Sequence, residues 1–164
     1  MTGAGTRNSK VVKARREAVY RAFLDPSALA VWLPPDDMSG HVHSFDAKHS
    51  GGYRMSLTYP ASEQVFRGKT SERTDTVVVR FMELTPFERI VQAVRFESAD
   101  PAFAGEMTMI ATFTDVDGGT EVAIACHNIP SGVRPEDNAA GCASSLEKLA
   151  DWLNGASGDH DPGA

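Results

Sequence analysis

The sequence predicts an α+β fold: a curved antiparallel sheet of six to seven strands wrapped around one long C-terminal helix, with two short helices after the first strand. Three observations carry this. Residues 135–154, PEDNAAGCASSLEKLADWLN, place Ala139, Cys142, Leu146, Leu149, Ala150 and Leu153 at helical steps, with Glu136, Asp137, Ser145, Lys148 and Asp151 between them. Residues 41–128 change to a period of two, broken by short turn signals. An amphipathic helix that follows consecutive strands buries its stripe against their sheet, and strands joined by short turns pair antiparallel.

Each element has its own signal. Residues 1–8 are small and polar and read as a flexible arm; SKVVKA (9–14) reads as an edge strand. RREAVYRAFL (15–24) has helical spacing, and Asp25-Pro26 opens a second short helix that ends at Trp32, before Pro34-Pro35. HVHSFD (41–46) is a strand closed by Gly51-Gly52. Tyr53, Met55, Leu57 and Tyr59 then alternate with Arg54, Ser56 and Thr58. A polar loop (60–71) precedes strands at 74–84 and 89–98, the second with Ile90, Val94 and Phe96 on one face. Strand 106–114 points Met107, Met109, Ala111 and Phe113 one way. Asp117-Gly118-Gly119 is a hairpin turn, and strand 120–128 aligns Val122, Ile124 and Cys126. Pro135 starts the long helix, Gly155 marks its stop, and residues 155–164 read as a disordered tail. The chain is thus one domain over residues 9–154.

Composition excludes several functions. A net charge of −6, a pI near 5.3 and no Lys/Arg run longer than a pair argue against nucleic acid as a partner. No apolar stretch is long enough to insert in a membrane and no signal core opens the chain, so the expected compartment is cytoplasmic. Cys126 and Cys142 are not expected to form a disulfide there, and read as small core residues.

The remaining constellations carry little chemistry. His41 and His43 share a strand face, but a metal would need His49, Asp46 or His127 to converge on them, so no metal is expected. His127 follows Cys126 directly and so points to the opposite sheet face, which argues against a nucleophilic dyad. Glu72, Arg73, Asp75 and Arg80 read as exposed strand charges. Neither Gly-Gly pair precedes a helix, so neither cradles phosphate, and no cofactor is implied. What stands out is the apolar sheet face opposite a helix whose first half (Ala139, Ala140, Gly141, Cys142, Ala143) is small and leaves space beneath it. Trp32, Met38, Tyr53, Met55 and Tyr59, with Phe96, Met109, Cys126, Cys142 and Leu146, are the expected lining of a cavity for a small hydrophobic or amphipathic molecule.

The element order, together with VYRAFLDPSALAVWLPP, FDAKHSGGYRMSLTY, ELTPFERIVQAVRFES and GGTEVAIACHNIPSGVRPEDNAAGCASSLEKLADWL, resembles the START-like (helix-grip, SRPBCC) superfamily. The closer likeness is to the branch named for the activator of the ninety-kilodalton heat-shock protein's ATPase, over residues 9–153. The resemblance implies an elongated cavity between sheet and last helix, with the short helices as a lid and Trp32 at its mouth. It also implies two other classes of function, a chaperone-interacting module and a cyclase- or dehydratase-like enzyme using the same cavity; of the three, non-enzymatic binding as carrier or sensor ranks first. Two positions depart from many relatives. Cys126 stands where they have a histidine, with His127 one place on, and Cys142 stands where they have a tryptophan, which implies more room beneath the helix.

Overall fold

The alternation and the two helical segments fold as one sheet and three helices in the computed structural model, which describes residues 4–48, 50–59 and 74–159. In chain order these are β1 (Ala4–Val12), α1 (Arg16–Phe23), α2 (Pro26–Trp32), β2 (Ser39–Asp46), β3 (Gly52–Thr58), β4 (Thr74–Thr85), β5 (Arg89–Phe96), β6 (Met107–Val116), β7 (Gly119–Ile129) and α3 (Pro135–Asp159). All strand pairs are antiparallel, in the order β1-β7-β6-β5-β4-β3-β2. Strands β2 to β7 form a meander, and β1 adds to its far edge. The segment α1–α2 therefore carries the chain from one edge of the sheet to the other.

Local chemistry accounts for the boundaries. The Asp25 side chain accepts a hydrogen bond from the Ser27 amide at 2.9 Å, and Pro26 occupies the first turn of α2, where its missing N–H costs nothing. Gly118, at φ +88°, supplies the left-handed residue of the β6–β7 turn. Gly52 lies so close to β4 that an added Cβ would stand 1.9 Å from the Val79 carbonyl oxygen, so only glycine fits there.

Two expected boundaries move. The first strand begins at Ala4, which pairs with Ile129, so residues 4–8 belong to the sheet and not to an arm. Their polarity misled because pairing with β7 uses the backbone, and Thr6 donates from its hydroxyl to Asn138 Oδ1 at 2.5 Å. The last helix continues through Gly155 to Asp159, since a glycine in an exposed helix interior only weakens it, by about 1 kcal/mol. The loop at 60–71, residues 1–3 and the tail from 160 lie outside the described residues.

The concave face of the sheet holds the core. Val122 and Ile124 of β7, Ile90 of β5 and Phe81 of β4 are buried against Phe23, Leu29 and Trp32, with Leu146, Leu149 and Leu153 of α3 completing the cluster. The stop before Pro34 and the small first half of α3 keep this packing to one end. No described helix is long and apolar enough to cross a membrane.

Candidate functional site: a cavity under the first half of the last helix

Where the leucines of α3 give way to Ala140, Gly141 and Cys142, the helix no longer fills the space above the sheet. A cavity of about 590 Å³ opens there, within the size range of small-molecule sites. Its floor is the inward row of the sheet: Tyr53 and Leu57 of β3, Val77 and Val79 of β4, Val94 and Phe96 of β5, Met107 and Met109 of β6, and Ile124 of β7. A Cβ on Gly141 would meet only Pro35, at 3.9 Å, so the helix contributes open space here.

The wall opposite the sheet is the loop after α2, and α3 pins it. Ser145 Oγ donates to the Leu33 carbonyl at 2.6 Å, Lys148 Nζ to the carbonyl of Pro34, and Ser144 Oγ accepts from the Asp36 amide at 2.7 Å. Trp32 is fully buried, its indole N–H donating to the Ala22 carbonyl at 2.9 Å and its ring 4.7 Å from that of Phe23. The expectation of Trp32 at the mouth is therefore corrected: it seals the closed end. The spacing of Ala28, Leu29 and Trp32 along α2 puts all three on the buried side of the helix. Exposed Asp36, Asp37, Arg134 and Asp137 surround the opening instead.

Of the residues expected to line the cavity, Trp32, Met38, Tyr53, Tyr59, Phe96, Met109 and Cys142 do so. Met55, Cys126 and Leu146 do not; each is fully buried in the packed core next to it. Met55 lies beneath the α2–β2 connection, close to Gly40, and Leu146 is already in the leucine-rich half of α3.

Two polar residues escaped the sequence reading. Asp75, expected at the surface, is 3% exposed and lines the cavity. Its phase explains this, because Asp75, Val77, Val79 and Phe81 share one face of β4. Gln92 is 4% exposed and also lines the cavity, in phase with Ile90, Val94 and Phe96. The signal was present in RIVQAVRF, where Gln92 interrupts the inward row. Tyr53 adds a phenol to the lining, and burial holds it well above the ordinary value, so it remains a neutral donor. Of the other charges in that constellation, Arg80 is exposed beside Glu106 at 3.7 Å, while Glu72 and Arg73 lie outside the described residues.

The cysteines meet. Cys126 on β7 and Cys142 on α3 bring their sulfurs to 4.0 Å at the cavity wall, and the Cys142 thiol also lies 4.0 Å from Asn138 Oδ1. They remain thiols. The Cys126 pKa is lowered to about 7, first by the hydrogen bond from Cys142, with burial opposing and Thr6 and Asn138 assisting. Cys142 is pushed up, by the bond it donates and then by burial. A titration followed by thiolate absorbance is therefore expected to show one thiolate appearing near pH 7 and the second held back, and Cys142→Ala should return the midpoint toward about 8.5. Because Cys126 is depressed in the native state, its contribution to stability is present above about pH 8.5 and lost as pH falls toward 7. Cys142 acts oppositely, costing stability above about 8.5, so the pair favours the native state most near that pH. Two thiolates appearing together at ordinary pH would contradict this arrangement.

The histidines take no part. His41 and His43 stand ring against ring at 4.7 Å on exposed β2, with His43 Nε2 2.7 Å from Ser56 Oγ. His127, exposed on β7, is five strands from β2 in the sheet, roughly 24 Å at ~4.8 Å per strand, and cannot join them. His49 lies outside the described residues, among which no three His, Cys, Asp or Glu side chains cluster as metal ligands.

A model of the family described as activator of Hsp90 ATPase homolog 1-like protein matches residues 13–154. The chain is similar to a protein from Chromobacterium violaceum of known crystal structure, with 34% identity and a TM-score of 0.81 over 91% of this chain and 96% of that one. A Rhodobacter sphaeroides protein (20% identity, TM-score 0.69, 98% and 99% covered) has the same fold. So does an AHSA1-like protein from Aeromonas hydrophila (15% identity, TM-score 0.69, 96% of each chain). No curated protein matches the sequence. A family model that spans α1, α2, β2 to β7 and most of α3, on a sheet that grips its last helix as described, makes this chain a member of the activator of Hsp90 ATPase homolog 1-like family within the START-like superfamily.

Proposed function

We propose that the protein binds a small hydrophobic or amphipathic molecule in the cavity between sheet and α3, as a carrier or sensor. The single observation that supports this most is a space of about 590 Å³, mainly apolar in its lining, under the small-residue first half of α3. A core of this size under selection for packing alone would fill such a void, since empty volume costs stability. Hydrogen bonds donated by Ser145 and Lys148, and one accepted by Ser144 from the Asp36 amide, tie α3 to the loop after α2 and brace the wall of this space. Native mass spectrometry of protein purified from its own host, before and after organic extraction, is the test. A co-purifying apolar species lost on extraction is the expected result. An empty protein that also fails to take up the neutral dye Nile red would overturn the reading.

The family description favours one second reading, contact with a chaperone. Co-precipitation with the host's own ninety-kilodalton chaperone, and a change in its ATPase rate, would support that reading; no contact and no change would remove it.

A further inference from the structure

Gln92 sits in the middle of an apolar floor. Its strand neighbours on the same face are Ile90 and Val94, and its register partners are Phe81 on β4 and Met109 on β6. Its side chain is 4% exposed, faces the cavity and makes no hydrogen bond among the described residues. An amide carries two N–H donors and a carbonyl acceptor, and burying it unpaired is unfavourable. The charged side chains at the opening are mainly acidic. At the opening, among the described residues, Asp36, Asp37 and Asp137 stand against Arg134, which is itself 3.8 Å from Glu136, and Lys148, whose ammonium donates to the loop carbonyls of Pro34 and Asp36. Low-dielectric walls focus that negative field on whatever enters.

We infer that the molecule this cavity takes is an amphiphile with a neutral or cationic hydrogen-bonding group (a hydroxyl, ketone, amide or amine) that pairs with the Gln92 amide, and that organic anions such as free fatty acids are rejected. The inference rests on the binding role proposed above and narrows it. Asp75, six residues along β4 from the Gln92 partner Phe81 and thus roughly 20 Å away along the strands, lies too far to serve the same group. Gln92 is the anchor within the apolar floor, and the acidic residues filter at the approach. A hydrocarbon would leave the amide unpaired, and a carboxylate would meet the carboxyl groups of Asp36, Asp37 and Asp137 at the opening.

The test uses ten-carbon probes that differ only at one end: decane, 2-decanone, 1-decanol, decylamine and decanoate, each competing with Nile red. The ketone, alcohol or amine is expected to bind about tenfold more tightly than decane, the worth of one good hydrogen bond, and decanoate more weakly than all of these. Gln92→Leu should bring the ketone and the alcohol to decane's level and leave decane itself unchanged or tighter. Gln92→Met, closer in shape, serves if the leucine variant does not fold. Decanoate binding as well as decanol, or a preference for the ketone or alcohol that survives both substitutions, would overturn the inference while leaving cavity binding intact. If Nile red does not bind at all, the binding role falls first and this inference with it.

Discussion

Replacing Trp32 with alanine is expected to cost about 3–5 kcal/mol for the lost ring, on the order of 10 °C in Tm for a domain of this size. The ring is fully buried, stacked at a tilt against Phe23 and seated among Ala28 and Leu29 at the closed end of the cavity. Its N–H also satisfies the Ala22 carbonyl in the last turn of α1, and α1 and α2 are joined by only two residues. Removing the indole thus deletes the packing that fixes α2 against α1 and strands a buried acceptor, which adds about 1–3 kcal/mol. Trp32→Phe separates the two contributions: it keeps most of the apolar surface and loses the donor, so a cost of about 1–3 kcal/mol is expected. Thermal and urea unfolding measure both. If Trp32→Ala cost less than Trp32→Phe, or if neither shifted the midpoint, the residue would not be the seal described here. A loss of Nile red binding by Trp32→Phe with little loss of stability would restore it to the mouth.

Much of this architecture was legible because the chain states it twice, in period and in punctuation. The change from 3.6 to 2 at residue 41 and back at residue 135, with Pro26, Pro34 and Pro135 at the joints, determines the element order. Inward faces followed from alternation wherever the row was uniformly apolar, as with Val122, Ile124 and Cys126. Where a polar residue stood in an inward row, residue type and phase gave opposite answers, and phase won. Asp75 and Gln92 are both such cases, and both line the cavity. Long-range facts were less accessible. That Asn8 and Thr6 belong to a strand depends on β7 passing alongside, and that Cys126 meets Cys142 depends on how α3 crosses the sheet. Trp32 was placed at the mouth by family likeness, whereas the spacing along its own short helix pointed inward.

The small half of α3 yields the sharpest separation of cavity from core. Cys142→Trp is expected to abolish Nile red binding, a loss of about tenfold or more, while the protein stays folded. The side chain at 142 faces the cavity from above and follows Gly141, beside which the nearest atoms are those of Pro35. With the sheet 4.0 Å away at Cys126, an indole has room only by turning into the open space. Forcing it against the floor costs about 1–3 kcal/mol in strain, and burying its apolar surface returns a similar amount, so Tm should move by a few degrees in either direction. The same substitution at exposed Ala143, one position on, points away from the cavity and should leave binding unchanged. Loss of binding at 142 with retention at 143 is the pattern of a space kept open for a ligand. If Cys142→Trp instead raised Tm strongly and left dye binding intact, the void would be a packing defect that the indole repairs, and the dye would be binding elsewhere.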